Sequence, residues 1–273
     1  MSAALSMYVG AGGIKTHFYV EGNGTPVIFV HGGGVGSNAS TWLGAMHRVA
    51  ERRRAFAPDV VGFGKTGAPP IAYSSQRIIE QLTAFLDALC LERVILVGHS
   101  LGGTIVARLA VEQPARVIAA VMVAPGGGLV GLTYHSEGHV AQARALDDPT
   151  ADNIRALAAL MRARDDDVED DFDKRFAFVK APGHLDALRA YTAARAPSAL
   201  PEHLPKLSLP LMLMWGARER FNPPEIGDHI ARKLPNLKRY VVFDDAGHDI
   251  PSDEPARFPK ALIDFFDEVE VVR

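Results

Sequence analysis

A chain of 273 residues has room for one large α/β domain, with or without an insertion, and 48% hydrophobic against 22% charged residues excludes an intrinsically disordered polypeptide. A formal net charge of -3 offers no basic surface to a polyanion, so no nucleic-acid partner is expected. No apolar run approaches the roughly 20 residues that span a bilayer, and the opening MSAALSMYVG lacks a basic segment followed by a long apolar stretch. These features predict a cytoplasmic chain with no membrane association.

The first short run rich in β-branched residues, Pro26–Val30 (PVIFV), reads as a buried strand and leads into a glycine-rich segment, HGGGVG. A helical face follows in Ile78, Ile79, Leu82, Phe85, Leu86 and Leu89, ending at the single cysteine, Cys90. One cysteine excludes an internal disulfide and fits a reducing compartment. At the end of an apolar helix it is expected to be buried rather than nucleophilic. A second strand, Arg93–Gly98, runs into a helix through Leu101, Ile105, Val106 and Leu109 that Pro114 closes. Further strands are predicted at Val117–Ala124, Leu209–Trp215 and Arg239–Phe243.

Strands alternating with helices require crossover connections, and therefore a mainly parallel sheet covered on both faces. That rhythm breaks between Gly131 and Pro205, where the patterns are helical, as in Ile154, Leu157, Ala158 and Met161 or Leu185, Leu188 and Tyr191. A helical insertion over the strand ends explains this length better than a loop. The predicted organisation is a core domain of residues 1–130 and 206–273 with a helical cap of residues 131–205. The charge cluster RARDDDVEDDFDK reads as a solvated helix face or turn.

Gly98-His99-Ser100-Leu101-Gly102 matches G-x-S-x-G between a predicted strand and a predicted helix, where a sharp turn would expose a serine hydroxyl above the sheet. A hydroxyl needs a base to take its proton and a carboxylate to orient that base. Of the ten histidines, His248 in FDDAGHDIP follows the last predicted strand, where a loop can hang an imidazole over the sheet edge. His31 and His99 adjoin the predicted site and are expected to shape it and contact substrate, while most of the others read as surface residues. Glu219, after the strand ending at Trp215, is the predicted acid; Asp244 and Asp245 are rivals, and Asp249 would need an unusual turn to reach the ring. The backbone N–H groups of Gly33 and Leu101 are assigned to an oxyanion hole.

Two phosphate-binding patterns compete. Gly34 to Ala39 fits a loose G-x-G-x-x-A with Asp59 about 20 residues on, but a nucleotide fold leaves the serine turn and His248 unexplained. GFGKTG ends like a phosphate loop, yet Asp59 stands where its first glycine belongs. No metal-ligand spacing is present, so no metal and no cofactor are predicted.

With Ser100, His248, Glu219 and HGGGVG in place, the sequence resembles α/β-hydrolase-fold enzymes along nearly its whole length. Within them it is most similar to the meta-cleavage product hydrolases, which cut a carbon–carbon bond in dienoic diketone acids from aromatic-ring degradation. The carrying stretches are VHGGGVGSNASTW, VMVAPGGGL, KRFAFVKAPG and WGARERFNP. The resemblance implies a nucleophile at Ser100, a base at His248, oxyanion donors at Gly33 and Leu101, a substrate-contacting arginine at Arg175, and a homodimer. Three positions depart from the family: Glu219 where Asp is usual, His99 where Asn is usual, and Asp249 where Trp is usual. Asp at the nucleophile position would mark an epoxide hydrolase or haloalkane dehalogenase; Ser100 argues against both.

The reading is thus a cofactor-independent serine hydrolase acting on a small carbonyl substrate with an apolar portion, in a mostly apolar pocket. Two alternatives remain: a carboxylesterase or lactonase, and a ligand-sensing protein on the same scaffold. A sensor would turn over far below the roughly 1–10³ per second of ordinary enzymes.

Overall fold

The structure is a computed structural model that describes residues 3–164, 168–194 and 200–271. Its strands are β1 (Leu5–Ala11), β2 (Ile14–Glu21), β3 (Pro26–Val30), β4 (Arg54–Pro58), β5 (Val94–His99), β6 (Val117–Val123), β7 (Leu211–Gly216) and β8 (Leu237–Phe243). They form one sheet in the order β1-β2-β4-β3-β5-β6-β7-β8. The pairs from β4 onward are parallel, whereas β1–β2 and β2–β4 are antiparallel.

The central strands are unbroken apolar runs because both faces are covered, so alternate residues enter opposite cores. Val27, Phe29, Ile95, Val97, Met212 and Met214 pack on α1 (Leu43–Val49) and α11 (Arg257–Val271) through residues such as Met46, Phe258 and Phe265. Their neighbours Ile28, Leu96, Leu211 and Leu213 face α2 (Ser75–Ala88), α3 (Leu101–Glu112) and α9 (Pro224–Lys233).

Between β6 and β7 the described residues contain helices and no strand: α4 (Glu137–Asp147), α5 (Ala151–Met161), α6 (Val168–Val179), α7 (His184–Ala193) and the short α8 (Leu200–His203). The apolar stripe of α5 is buried as its spacing predicts. A short α10 (Ile250–Asp253) follows β8. Among the described residues no helix is long and apolar enough to cross a membrane.

Three findings correct the sequence reading. The five predicted strands are present, but β1, β2 and β4 were missed. The first two make a hairpin whose turn, Gly12-Gly13, has φ of 58° and 81°, the double-positive geometry of a tight two-residue connection. Its Gly-Gly signal was in the sequence; β1 hid because it is an exposed edge strand.

Cys90 is exposed, not buried. The N–H of Leu91 bonds the carbonyl of Leu86 and that of Cys90 the carbonyl of Asp87, which ends α2 with Cys90 at φ 53° in a left-handed turn. Leu91, one residue further, takes the buried position instead.

The charge cluster is not wholly solvated. Arg162 and Asp171 are buried, while residues 165–167 lie outside the described residues.

Candidate active site

Ser100 sits between β5 and α3 at φ 53° and ψ -116°, outside the conformations an L-residue prefers, at a cost on the order of 1–3 kcal/mol. The turn is held by the Ser100 N–H to Val123 carbonyl bond at 2.8 Å and is possible only with small neighbours. A Cβ at Gly98 would lie 2.1 Å from the Gly102 carbonyl oxygen, and one at Gly102 would lie 2.2 Å from that of Val30. The G-x-S-x-G pattern is therefore a packing requirement of the turn.

Because β7 and β8 are parallel neighbours, the segments leaving them run side by side. The N–H groups of Ala217 and Arg218 bond the carbonyls of Phe243 and Ala246, both at 2.9 Å. This brings Glu219 to His248. The imidazole Nδ1 lies 2.6 Å from Glu219 Oε2, and both side chains are almost wholly buried. Glu219 Oε1 accepts the backbone N–H of Phe221 at 2.6 Å and of Asn222 at 2.9 Å, which fixes the carboxylate. With Nδ1–H donating to a carboxylate, Nε2 is the basic atom of the ring. Asp244 and Asp245 are exposed, and Asp245 pairs with Arg218 at 2.6 Å, so neither rival acid reaches the histidine.

Gly33 packs on Leu101: a Cβ there would lie 2.5 Å from Leu101 Cδ2. The two residues assigned to the oxyanion hole are thus adjacent, with the Leu101 N–H in the first turn of α3, where helix N–H groups have no intrahelical acceptor.

His99 donates from Nε2 to the His248 carbonyl at 2.8 Å, and its ring lies 4.6 Å from that of His248. Burial holds its pKa well below the ordinary histidine value, reinforced by His248, Arg175 and His31. Its ring N–H holds the backbone that carries His248. His31 accepts the Val60 N–H at Nε2, 3.1 Å, and donates from Nδ1 to the Gly32 carbonyl, 2.7 Å. Burial lowers its pKa too. Its ring nitrogens are committed to backbone, so His31 shapes the cavity wall rather than offering a hydrogen bond.

Ser100, His248, His99, His31 and Arg175 line a single cavity of about 550 Å³, within the size range of small-molecule sites. Arg175 is buried, with Nε 2.6 Å from Asp171 Oδ2 and Nη1 donating to the Val35 carbonyl at 3.3 Å. The expected apolar pocket is charged at this end, where Arg162, Asp171, Arg175 and Asp249 gather. Burial raises the pKa of Asp249; Asp171 adds to the rise, and Arg162 and Arg175 oppose it.

Sequence reasoning missed several supports. Phe221 stacks on His248 at 4.8 Å between centroids. Asn222 donates to the Ala124 carbonyl at 2.8 Å and tethers the Glu219 loop to the end of β6. His184, assigned with the surface histidines, is buried. It accepts the Gly36 N–H at 3.0 Å and donates to the Gly62 carbonyl at 2.9 Å, joining α7 to the glycine-rich loop. His17 is likewise buried, 2.7 Å from Asp59. Asp59 also accepts the N–H groups of Ala39 at 2.6 Å and Lys65 at 2.8 Å, so the residue that suggested nucleotide binding is a loop clamp.

The model of the alpha/beta hydrolase fold family matches residues 25–255, and the chain belongs to that family. It is an enzyme of the hydrolase class. More particularly, it is similar to the meta-cleavage hydrolases. It is 28% identical to 2-hydroxy-6-oxo-2,4-heptadienoate hydrolase of Pseudomonas putida, over 97% of each chain. It is 26% identical to 2-hydroxy-6-oxo-6-(2'-aminophenyl)hexa-2,4-dienoic acid hydrolase of Metapseudomonas resinovorans, over 97% of this chain and 91% of that one. The solved structure of 2-hydroxy-6-oxo-6-phenylhexa-2,4-dienoate hydrolase from Rhodococcus sp. superposes with a TM-score of 0.86 at 21% identity, covering 98% of this chain and 100% of that one.

Proposed function

We propose that the protein is a cofactor-independent serine hydrolase in which His248, oriented by Glu219, takes the Ser100 proton as Oγ attacks a substrate carbonyl. The carbonyl oxygen becomes an oxyanion facing the N–H groups of Gly33 and Leu101. Its collapse breaks the bond to the leaving group, which takes the proton from His248; water, giving its proton to His248, then hydrolyses the acyl-Ser100. The observation that carries this reading is the buried Glu219–His248 pair at 2.6 Å beside the same cavity as the strained Ser100.

The proposed substrate is a 2-hydroxy-6-oxo-dienoate. Full-length similarity to hydrolases named for that class supports it, as does the buried Arg175, which supplies a cation for the substrate carboxylate. Ketonisation first moves the enol proton to the carbon beside the ketone, so that the carbon–carbon bond breaks to a stabilised carbanion. Helices α4 to α7, in the proposed cap of residues 131–205, act as the lid that holds Arg175 over the site.

A second reading, a carboxylesterase or lactonase, is favoured by His99 and Asp249. They stand where the resembling family carries Asn and Trp, and the ring N–H of His99 is occupied by the His248 carbonyl. Turnover of a 2-hydroxy-6-oxo-dienoate and of a short aryl ester, each corrected with Ser100→Ala, separates the readings. Fast loss of the dienoate chromophore with slow ester cleavage is expected, and the reverse preference establishes the esterase. Full activity of Ser100→Ala overturns the nucleophile.

A further inference from the structure

A second serine, histidine and aspartate stand in line outside the cavity. Ser6 of β1 and His17 of β2 share one face of the hairpin, because the register sets Ser6 opposite Tyr19 and Tyr8 opposite His17. Ser6 Oγ is 2.8 Å from His17 Nε2, and His17 Nδ1 is 2.7 Å from Asp59 Oδ2. Asp59 follows β4, which pairs with β2 and so carries the carboxylate to the ring.

Each member has the surroundings that its part in a proton relay requires. The Asp59 carboxylate also accepts the N–H groups of Ala39 and Lys65. Burial pushes its pKa up, but His17, His31 and those two N–H groups outweigh burial and hold it below the ordinary carboxylate value. A carboxylate at Nδ1 keeps the ring proton there and leaves Nε2 to accept the Ser6 hydroxyl. The imidazole is buried between Tyr8 and Tyr19, whose rings meet it edge-on with centroids at 5.2 and 4.9 Å. Its backbone is pinned as well: the N–H donates to Thr66 Oγ1 at 2.9 Å and the carbonyl accepts the Asp59 N–H at 2.9 Å. Ser6 is exposed on the edge strand, so a reagent approaches it from solvent while the base behind it stays dry.

Clamping of loops accounts for Asp59, but not for an exposed serine hydroxyl on the far nitrogen of its histidine. The two flanking rings also carry ammonium groups, Lys15 Nζ at 4.7 Å from the Tyr8 centroid and Lys65 Nζ at 5.4 Å from that of Tyr19. They bring positive charge to the border of the site, where an oxyanion or a departing phenolate would develop.

We propose that Ser6, His17 and Asp59 form a second nucleophilic site, in which Ser6 takes the acyl group of an activated aryl ester. Oγ bonds to the ester carbonyl carbon as its proton passes to His17 Nε2. Collapse of the adduct breaks the carbon–oxygen bond to the aryl group, which leaves as a phenol with the proton from His17, and acyl-Ser6 remains.

The test treats the intact Ser100→Ala protein with 4-nitrophenyl acetate and follows acetyl-Ser6 by mass spectrometry of the peptide that carries it. Ser6 is expected to acetylate about 10²-fold faster in the folded protein than in the same chain unfolded in urea, the scale of assistance by a positioned general base. His17→Gln should bring that ratio to within about threefold of one; if this variant does not fold, the folded-to-unfolded ratio of the parent still decides. Ser6→Ala, at an exposed position, should remove the first equivalent of 4-nitrophenolate released. A Ser6 that reacts no faster folded than unfolded, a rate unchanged in folded His17→Gln, or a release unchanged in Ser6→Ala each overturns the proposal. Because Ser100 is replaced throughout, the result does not depend on the function proposed above.

Discussion

Replacing Glu219 by Gln removes a charge while keeping the side chain's length. Oε1 accepts the N–H groups of Phe221 and Asn222, and the amide oxygen of Gln can keep both bonds. The place 2.6 Å from His248 Nδ1 is then filled by an NH₂ group, which donates. Facing a donor, the ring must turn Nδ1 into an acceptor and carry its proton on Nε2, the atom proposed to receive the serine proton. The base is lost while packing stays. In a serine protease the equivalent wrong-tautomer substitution costs about 10⁴ in kcat, or roughly 5 kcal/mol of transition-state stabilisation. We expect a kcat loss of about 10³–10⁴-fold for Glu219→Gln, with KM changed far less, measured on whichever substrate is turned over and alongside thermal denaturation to verify folding. A folded variant within tenfold of wild type would refute the reasoning, as would a comparable loss in Asp245→Asn, whose carboxylate lies at the surface on Arg218.

Gly33→Ala places a Cβ 2.5 Å from Leu101 Cδ2 and so disturbs both proposed oxyanion donors; kcat should fall by about 10²–10³ with KM nearly kept, and a loss confined to KM would argue against an oxyanion role. Stability should decline as pH drops below about 6.5. His31, His99 and His184 all have folded pKa values below the unfolded one, so the unfolded chain binds more protons from pH 6.5 down to each folded pKa. Each contributes up to about 1.4 kcal/mol per pH unit in that window. Urea midpoints from pH 7.5 to 5 should show this slope, reduced by about one proton in His99→Gln; an unchanged slope would mean that His99 is protonated in the folded state. Arg162→Met leaves the buried Asp253 without its cation and should cost about 3–5 kcal/mol in urea unfolding. Adding Asp253→Asn should recover much of that loss, and additive costs would show that the pair is not coupled.

The parts of the fold legible in the sequence are those where one local rule decides. Strands β3, β5, β6 and β7 are buried on both faces and so are continuously apolar, and the α2 and α3 helices carry a stripe of period 3.6. Ser100 was legible because the turn that strains it admits only small neighbours, which leaves a fixed pattern of letters. Exposed β1 and short, alanine-containing β4 obey no such rule, since β1 is a strand through pairing with β2, and β4 through pairing with β2 and β3.

The sequence by itself determined where the proposed nucleophile and base stand, because Ser100 and His248 are each tied to the end of a recognisable strand. Only the tertiary structure decided which carboxylate orients His248. Glu219 wins over two aspartates nearer in sequence because parallel pairing of β7 with β8 lays their outgoing loops together, turning one carboxylate inward and the others to solvent. The charged end of the cavity is of the same kind. Arg162 meets Asp253 across 91 positions. Burial of these charges is set by the packing of α5, α6 and α10, and no local pattern of charge encodes it.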